Sequence, residues 1–106
     1  MKWEPGRQGT GYRKLRLVNG QHWDLHVIDY PAGVGIPRHF DLVPNRRHLR
    51  VNVALRTGGA RLLADAVLFR IRERLVVFWS DRKHEVTPAR SRRTVVSLGL
   101  ALEPSR

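Results

Sequence analysis

No cysteine occurs among the 106 residues, which excludes disulfide scaffolds, thiolate metal sites and cysteine nucleophiles. Any metal ion would therefore be held by histidine and carboxylate side chains. No apolar run is long enough to cross a bilayer, and residues 1–20 lack the apolar core of a signal peptide. We therefore expect a cytoplasmic protein without a membrane partner, built as a single domain over residues 1–106.

Lysine and acidic residues are both scarce. Only 3 of the 20 basic residues are lysine, and 9 acidic residues leave a formal net charge of +11. Such a surface attracts anions, so nucleic acid is a candidate partner. Arginine clusters at residues 46–47, 70–72 and 90–93 could follow a phosphate backbone. No nucleic-acid-binding motif accompanies them, and heavy arginine usage is also typical of GC-rich genomes, so this partner stays open.

Helical periodicity is hard to find in the sequence, whereas alternation of period two is frequent. Predicted strands occupy residues 14–18, 22–30, 49–55, 60–65, 67–71, 75–79, 84–87 and 94–101. Turns are predicted at Asn19-Gly20 and Gly58-Gly59. Loops are predicted for residues 31–37, which begin and end with proline, and for the segment that contains His48. Many short strands with regular turns predict an all-β jelly roll of the double-stranded β-helix or cupin type, with little or no helix.

A histidine and a carboxylate follow the 31–37 loop at a spacing that suits a metal ion. His39 and Asp41 are two residues apart, so on an extended segment both side chains project to the same side. His84 begins a later predicted strand and supplies a third ligand. Two histidines and one carboxylate form the facial triad of non-haem Fe(II) oxygenases, which leaves coordination positions open for a 2-oxo acid and dioxygen.

Arg93 lies nine residues beyond His84, at the head of the last predicted strand. A guanidinium there could bind a carboxylate through two parallel hydrogen bonds. We therefore predict that Arg93 binds the distal carboxylate of 2-oxoglutarate.

Two segments resemble a known family, the prolyl-hydroxylase branch of the 2-oxoglutarate/Fe(II) oxygenases. They are residues 75–93, LVVFWSDRKHEVTPARSRR, and residues 30–41, YPAGVGIPRHFD. Gly58-Gly59 also resembles the paired glycines between the two halves of that family. The likeness spans residues 24–100, although the helices that precede the β-core in typical members have no counterpart in this sequence.

The resemblance implies a dioxygenase that uses Fe(II), 2-oxoglutarate and dioxygen to hydroxylate a substrate, with succinate as the second product. By that likeness His39, Asp41 and His84 bind the metal, and Arg93 and Tyr30 bind 2-oxoglutarate. Ser97, four residues after Arg93, would add a hydroxyl group to the co-substrate pocket. Ala54 stands where the family has bulky aromatic residues, so Asn52, on the Arg50 face of its strand, would line the pocket instead. The sequence does not identify the substrate, and the family suggests a protein side chain such as proline.

Other interpretations remain open. The chain could be a non-catalytic basic jelly-roll module, directed at nucleic acid, or a cupin-like barrel that uses its metal for hydrolysis or isomerisation. His22 and His26 share a strand face but lack a third ligand, and we interpret them as structural or rim residues. A homodimer is a further expectation, which an exposed apolar sheet face would favour.

Overall fold

Alternating side chains and closely spaced turns produce a structure made of short strands. The computed structural model describes residues 3–5, 11–40 and 46–102. Its strands are β1 (Trp3–Pro5), β2 (Arg13–Asn19), β3 (Trp23–Tyr30), β4 (Ile36–His39), β5 (Arg47–Arg56), β6 (Leu62–Ala64), β7 (Val67–Ile71), β8 (Leu75–Trp79), β9 (His84–Val86) and β10 (Arg93–Leu102). Within these three segments there is no helix, and hence none long and apolar enough to cross a membrane.

The strands form two antiparallel sheets. The larger has seven strands in the order β1-β2-β3-β10-β5-β8-β7, and the smaller has three in the order β4-β9-β6. The last strand, β10, therefore lies between β3 and β5 at the centre of the larger sheet. This alternation of early and late strands is that of a jelly roll, and the predicted all-β double-stranded β-helix is confirmed.

Most predicted strands match the observed ones, with three corrections. β1 was not predicted, because a three-residue exposed strand carries almost no pattern. β4 begins at Ile36 and includes Pro37, which was assigned to a loop. The register of β4 shifts between the Ile36–Val86 and His39–His84 pairs, and a proline is tolerated at such an irregularity. His48 lies in β5 rather than in a loop, because β5 starts at Arg47.

The inner face of the larger sheet changes from polar to apolar and back along its length. Strand registers align side chains from β3, β10 and β5 in successive rows. In order, the inner rows are Tyr30 and Arg93; Ile28, Val95 and Ala54; His26, Ser97 and Asn52; and Asp24, Gly99 and Arg50. The buried apolar core includes members of the first two rows together with Phe78 of β8 and Val86 of β9, so it joins the two sheets.

The outer face of the larger sheet is apolar over six strands. Its three rows are Leu15, Val27, Val96, Val53, Leu75 and Ile71; Val18, Leu25, Leu98, Val51, Val77 and Phe69; and Trp23, Leu100, Leu49 and Trp79. Several members are solvent-exposed, including Val53 (41%), Phe69 (53%) and Ile71 (52%). Six strands at about 4.8 Å spacing make this outer face about 24 Å wide, which is large for an exposed apolar surface.

Candidate metal and co-substrate site

The smaller sheet places two of the predicted metal ligands side by side. His39 ends β4 and His84 begins β9, and they are directly opposed in the antiparallel pair. Their ring centroids are 4.3 Å apart. The Nδ1 atom of His39 lies 2.7 Å from the Pro37 carbonyl oxygen, and Nδ1 of His84 lies 2.9 Å from that of Arg82. Because a carbonyl only accepts, each Nδ1 carries the proton and donates it.

This arrangement fixes the ring chemistry of both histidines. A neutral imidazole protonated on Nδ1 has its lone pair on Nε2, which is the ring atom that can coordinate a metal ion. Metal-binding histidines commonly donate their second ring nitrogen to a backbone carbonyl, which fixes the tautomer and the ring orientation. Two such rings on opposed strands therefore have the geometry and protonation of a pair of imidazole ligands.

Phe78 holds one of these rings in place from the larger sheet. It is 1% exposed, and its ring centroid lies 5.1 Å from that of His84 at an interplanar angle of 58°. This tilted contact is a favourable aromatic arrangement. Phe78 therefore restricts the His84 ring and keeps water from one side of it.

Asp41, the predicted carboxylate ligand, lies outside the described residues, which stop at Phe40 and resume at Arg46. Within the described segments, no group of three or more metal-ligating side chains is assembled. The two histidines fit two positions of the predicted triad, and the role of Asp41 stays a prediction.

Arg93 is buried on the inner face although it carries a full charge. The residue is 2% exposed, and its Nη1 atom donates a hydrogen bond to the Thr57 carbonyl oxygen at 3.3 Å. Its Nε atom is buried and has no hydrogen-bond partner. No carboxylate of the described part of the chain is paired with Arg93. The positive-φ turn at Gly58 permits this packing, since a Cβ there would lie 3.1 Å from the Arg93 Cβ.

Tyr30 lies directly opposite Arg93 on β3. The Arg93 Cζ atom is 5.4 Å from the centre of the Tyr30 ring, within the range of a cation–π contact. Burial raises the pKa of Tyr30 to about 12, with the Arg93 cation opposing that rise. The phenol therefore stays protonated at physiological pH and can donate a hydrogen bond. The structure thus brings together the two side chains predicted to bind 2-oxoglutarate.

Asn52 and Ser97, the other predicted co-substrate residues, bind each other. The Ser97 hydroxyl donates to Asn52 Oδ1 at 2.5 Å and accepts from Arg50 Nη1 at 2.7 Å. Arg50 Nη2 also lies 3.1 Å and 3.3 Å from the two Asp24 carboxylate oxygens. Ser97 shares the inner face with Arg93, as the period of two predicts. It lies two rows, about 13 Å, further along β10.

His26 is the residue whose environment sequence reasoning missed. It was interpreted as a structural or rim residue together with His22, yet His26 is 6% exposed and faces the interior. Neither ring nitrogen has a hydrogen-bond partner, although Nε2 lies 3.5 Å from Asp24 Oδ1. Burial lowers the pKa of His26 to about 4, with nearby cations assisting and Asp24 opposing. The ring is therefore neutral at physiological pH.

The arginine clusters are engaged in contacts within the chain. Arg47 binds Asp81 at 2.7 Å and stacks over the Trp79 ring at 4.2 Å. In the same way, Arg70 pairs with Glu73, and Arg92 with the buried carboxylate of Asp29. One member of each cluster is thus ion-paired, which reduces the charge that it can offer to a phosphate backbone.

Comparisons with known proteins agree with this architecture. No family model matches the sequence, and no curated protein matches it significantly. The chain is similar in structure to the cupin domain of Schizosaccharomyces pombe Cnp3, with 12% identity over 95% of this chain and 69% of that one (TM-score 0.69). It is also similar to a Pseudomonas putida prolyl-4-hydroxylase, with 23% identity over 98% and 79% (TM-score 0.67). KdgF from Halomonas sp. matches at 13% identity over 100% and 88% (TM-score 0.68). The chain therefore has a cupin fold.

Proposed function

We propose that this chain is an Fe(II)- and 2-oxoglutarate-dependent dioxygenase that hydroxylates a substrate C–H bond and converts 2-oxoglutarate to succinate. The observation that carries the proposal is the state of Arg93, a buried guanidinium with an unpaired Nε and no carboxylate partner among the described residues. Burying an ion costs several kcal/mol unless an opposite charge compensates. Local violations of this kind are expected at functional sites.

A dicarboxylic co-substrate would supply the missing counter-charge. The guanidinium fork of Arg93 matches a carboxylate, and the protonated Tyr30 hydroxyl lies beside it as a further donor. The distal carboxylate of 2-oxoglutarate fits this pair of donors. Tyr30 also belongs to the same core as Phe78, which contacts His84, so the anion site and the histidine pair are joined by continuous packing.

The proposed metal ligands are His39 and His84 through Nε2, with Asp41 as the carboxylate. When bound, Fe(II) and 2-oxoglutarate would allow dioxygen to act as the oxidant, with one oxygen atom going to succinate as carbon dioxide leaves and the other inserted into the substrate C–H bond. The residues of the chain orient and protect these groups. Pro37 and Arg82 fix the imidazole tautomers through their carbonyl oxygens, while Phe78 excludes water from one side of the pair.

A prolyl or other protein side chain is the substrate class that we propose. The support is the resemblance of residues 30–41 and 75–93 to the prolyl-hydroxylase branch. The structural similarity to a Pseudomonas putida prolyl-4-hydroxylase agrees with it. The net charge of +11 would favour an acidic peptide over a basic one.

The alternative is a non-catalytic basic module that binds nucleic acid. It requires exposed arginines free to contact phosphates, whereas Arg47, Arg70 and Arg92 are ion-paired within the chain. It also gives no reason to bury Arg93 out of reach of a polymer. A cupin that uses metal for hydrolysis or isomerisation leaves the same guanidinium unexplained.

Two 2-oxo acids that differ by one carboxylate test the proposal. The protein is loaded with Mn(II) in place of iron, and binding of 2-oxoglutarate and of pyruvate is measured by calorimetry in wild type and in Arg93→Leu. Both ligands carry the 2-oxo acid group, but pyruvate lacks the distal carboxylate. We expect wild type to prefer 2-oxoglutarate by about 100-fold, as for a charge-assisted bidentate contact, and Arg93→Leu to remove that preference.

The adjacent Arg92→Leu provides the matched control, because its side chain is largely exposed and binds Asp29 instead. It should keep the wild-type preference. If 2-oxoglutarate binds wild type no better than pyruvate, or if Arg93→Leu keeps the preference, the co-substrate assignment is wrong.

A further inference from the structure

The strand β5 contains a bulge at Leu55, close to one end of the larger sheet. In the pairing of β5 with β10, Ala54 is opposite Val95 and Arg56 is opposite Thr94, so Leu55 is an extra residue without a partner on β10. Leu55 is 59% exposed, the largest exposure among the large apolar residues in the described segments. Because a bulge redirects the side chains around it, this one presents a leucine to solvent.

Four exposed arginines lie around this bulge, and they are Arg56, Arg72, Arg74 and Arg90. Arg56 follows Leu55 directly in the chain. Arg74, in the turn between β7 and β8, donates a hydrogen bond from Nη1 to the Leu55 carbonyl oxygen at 3.0 Å. Arg90 packs against the turn that follows β5, since a Cβ at Gly59 would lie 3.2 Å from the Arg90 Cδ atom. Leu55 and these four arginines together form the bulge surface.

The positive charge of the bulge surface is not neutralised within the described part of the chain. None of its four arginines is paired with a carboxylate of those residues, and the neighbouring carboxylates already have partners. Asp29 pairs with Arg13 at 3.1 Å and with Arg92 at 2.7 Å. Glu73 pairs with Arg70 at 2.8 Å and lies 3.6 Å from a second arginine. This end of the sheet therefore attracts acidic groups.

The backbone at Arg72 is strained. Its φ of 47° lies in the left-handed region, and no other non-glycine residue in the described segments has a positive φ. A glycine would adopt this conformation without the steric cost that an arginine side chain brings. Strained residues are concentrated at functional positions. The turn thus carries a guanidinium beside Arg74 at a conformational cost, which favours a role for that charge.

We propose that the bulge surface is a docking site for an acidic segment of a partner protein. One apolar side chain of the segment packs on Leu55, and its carboxylates bind the guanidiniums, each of which matches a carboxylate through two parallel hydrogen bonds. An apolar anchor within a polar rim is the usual anatomy of a protein interface, and one of this small size is weak and transient. The inference goes beyond the proposed function, because docking here does not require that the docked protein be the hydroxylated substrate.

The bulge surface is separate from the histidine pair. Thr94 faces the bulge from β10, whereas Gly99 lies in the row of Phe78, which contacts His84. These two positions on β10 are five residues, about 17 Å, apart. A docked segment would therefore leave the proposed metal centre open.

Two other occupants fit the bulge surface less well. Single-stranded nucleic acid binds through aromatic side chains on which its bases stack, whereas the exposed anchor of this surface is the aliphatic Leu55. A second copy of the chain carries the same net charge of +11 and would place like charges against the four arginines. Leu55 also belongs to none of the three outer rows, so it lies outside the homodimer contact that we expect.

Three labelled probes of equal negative charge test the assignment by fluorescence anisotropy in about 50 mM salt. They are a peptide of Glu-Glu-Leu repeats, the same peptide with serine in place of leucine, and a thymidine oligonucleotide. We expect wild type to bind the leucine peptide with a dissociation constant of about 10–100 μM, about tenfold tighter than the serine peptide. The oligonucleotide should bind more weakly than the leucine peptide.

Variants locate the contact. Leu55→Gln should bind the two peptides equally. The double variant Arg56→Gln/Arg90→Gln should weaken binding of the leucine peptide about tenfold. The charge-matched control is Arg16→Gln/Lys83→Gln, which removes two exposed cations from β2 and from the turn before β9. It should weaken binding less than about twofold, because these charges are distant from the bulge surface.

Arg72→Gly separates binding from folding. It removes one charge of the bulge surface and relieves the left-handed strain, so we expect peptide binding to weaken about threefold while the midpoint of urea denaturation does not fall. A residue with a merely structural role would change the midpoint and leave the peptide affinity as it is.

The proposal is overturned if wild type binds the serine peptide as tightly as the leucine peptide, if the oligonucleotide binds more tightly than the leucine peptide, or if the two double variants bind alike. Sedimentation of Leu55→Gln adds a further outcome. A smaller mass than that of wild type would mean that a second copy occupies the bulge surface, which also overturns the proposal. Because neither metal nor 2-oxoglutarate is present in these measurements, their failure is separate from failure of the 2-oxoglutarate and pyruvate comparison.

Discussion

His39 and His84 are opposed residues of an antiparallel strand pair, and their rings lie 4.3 Å apart with both Nδ1 atoms bonded to backbone carbonyls. Two pre-oriented imidazoles should act as a unit, so losing either removes most of the metal affinity. We predict that His39→Ala or His84→Ala weakens Mn(II) binding by about 100-fold or more, measured by electron paramagnetic resonance of free Mn(II).

The matched control is His22→Ala, which removes an exposed imidazole from the turn between β2 and β3 of the larger sheet. Its metal affinity should equal that of wild type. Equal Mn(II) affinity in all three variants would contradict a metal centre at the β4–β9 pair.

Arg93 and Arg92 are adjacent in sequence, yet their replacement should change stability in opposite directions. Arg93→Met removes an uncompensated buried charge, and we expect the free energy of unfolding to rise by about 1–3 kcal/mol. Arg92→Met removes one hydrogen bond to the buried Asp29 carboxylate, which still accepts a hydrogen bond from Arg13. We therefore expect the free energy of unfolding to fall by about 1 kcal/mol. Urea denaturation measures both changes in the free energy of unfolding. If Arg93→Met is less stable than wild type, the Arg93 guanidinium has a structural role instead.

The stability of the protein should fall in mild acid because of His26. The pKa of this ring is lowered from 6.5 to about 4 by burial, so between those pH values the unfolded chain binds the proton and the folded chain does not. The free energy of unfolding therefore does not depend on this ring above pH 6.5, and it decreases by up to about 3 kcal/mol as the pH falls toward 4. His26→Leu should lack this component.

The difference between wild type and His26→Leu isolates this effect from other titrations. Asp29 and Asp81 also titrate in acid. Burial raises the pKa of Asp29, but hydrogen bonds from Arg92 and Arg13 outweigh it and hold that pKa below 3.8. The hydrogen bond from Arg47 does the same for Asp81. Their contributions are lost only below about pH 4. Parallel stability curves for the two proteins between pH 6.5 and 4 would show that His26 is not buried as a neutral ring.

The outer face of the larger sheet gives the homodimer expectation a specific test. Two such apolar faces would bury each other, and Val51, at the centre of the outer face, would be buried on both sides of the contact. We predict that wild type sediments with about twice the chain mass of 12.2 kDa and Val51→Lys with the chain mass itself. Leu68→Lys, on the edge strand but outside the three outer rows, should behave as wild type. A monomeric wild type at high micromolar concentration would contradict the expectation.

The sequence predicted the sheet strands because a strand with one face buried must alternate with period two. β7 and β8 begin and end where that pattern predicts, and β10 differs by one residue at each end. β4 was missed because Pro37 argues against a strand, and only the register shift beside β9 removes the conflict. Alternation also predicted that Ser97 shares a face with Arg93.

The candidate site was predictable only where chemistry depends on residue type and spacing. His39, His84 and Arg93 stand out by type, whereas the opposition of the two histidines depends on pairing between strands that are about forty-five residues apart. The unpaired ring of His26 could not be predicted, because it results from three strands meeting at one row. The same is true of the Asp24–Arg50 pair over Gly99, which depends on the close approach of β3 and β5 side chains.

The most direct test of the central claim is an anaerobic titration of the purified protein with Fe(II) and then 2-oxoglutarate, followed by visible absorption. A 2-oxo acid chelated to Fe(II) gives a weak charge-transfer band. We predict that this band appears in wild type, is absent in His84→Ala, and requires about 100-fold more 2-oxoglutarate in Arg93→Leu. If Fe(II) binds and 2-oxoglutarate then produces no band in wild type, the chain is not a 2-oxoglutarate-dependent oxygenase.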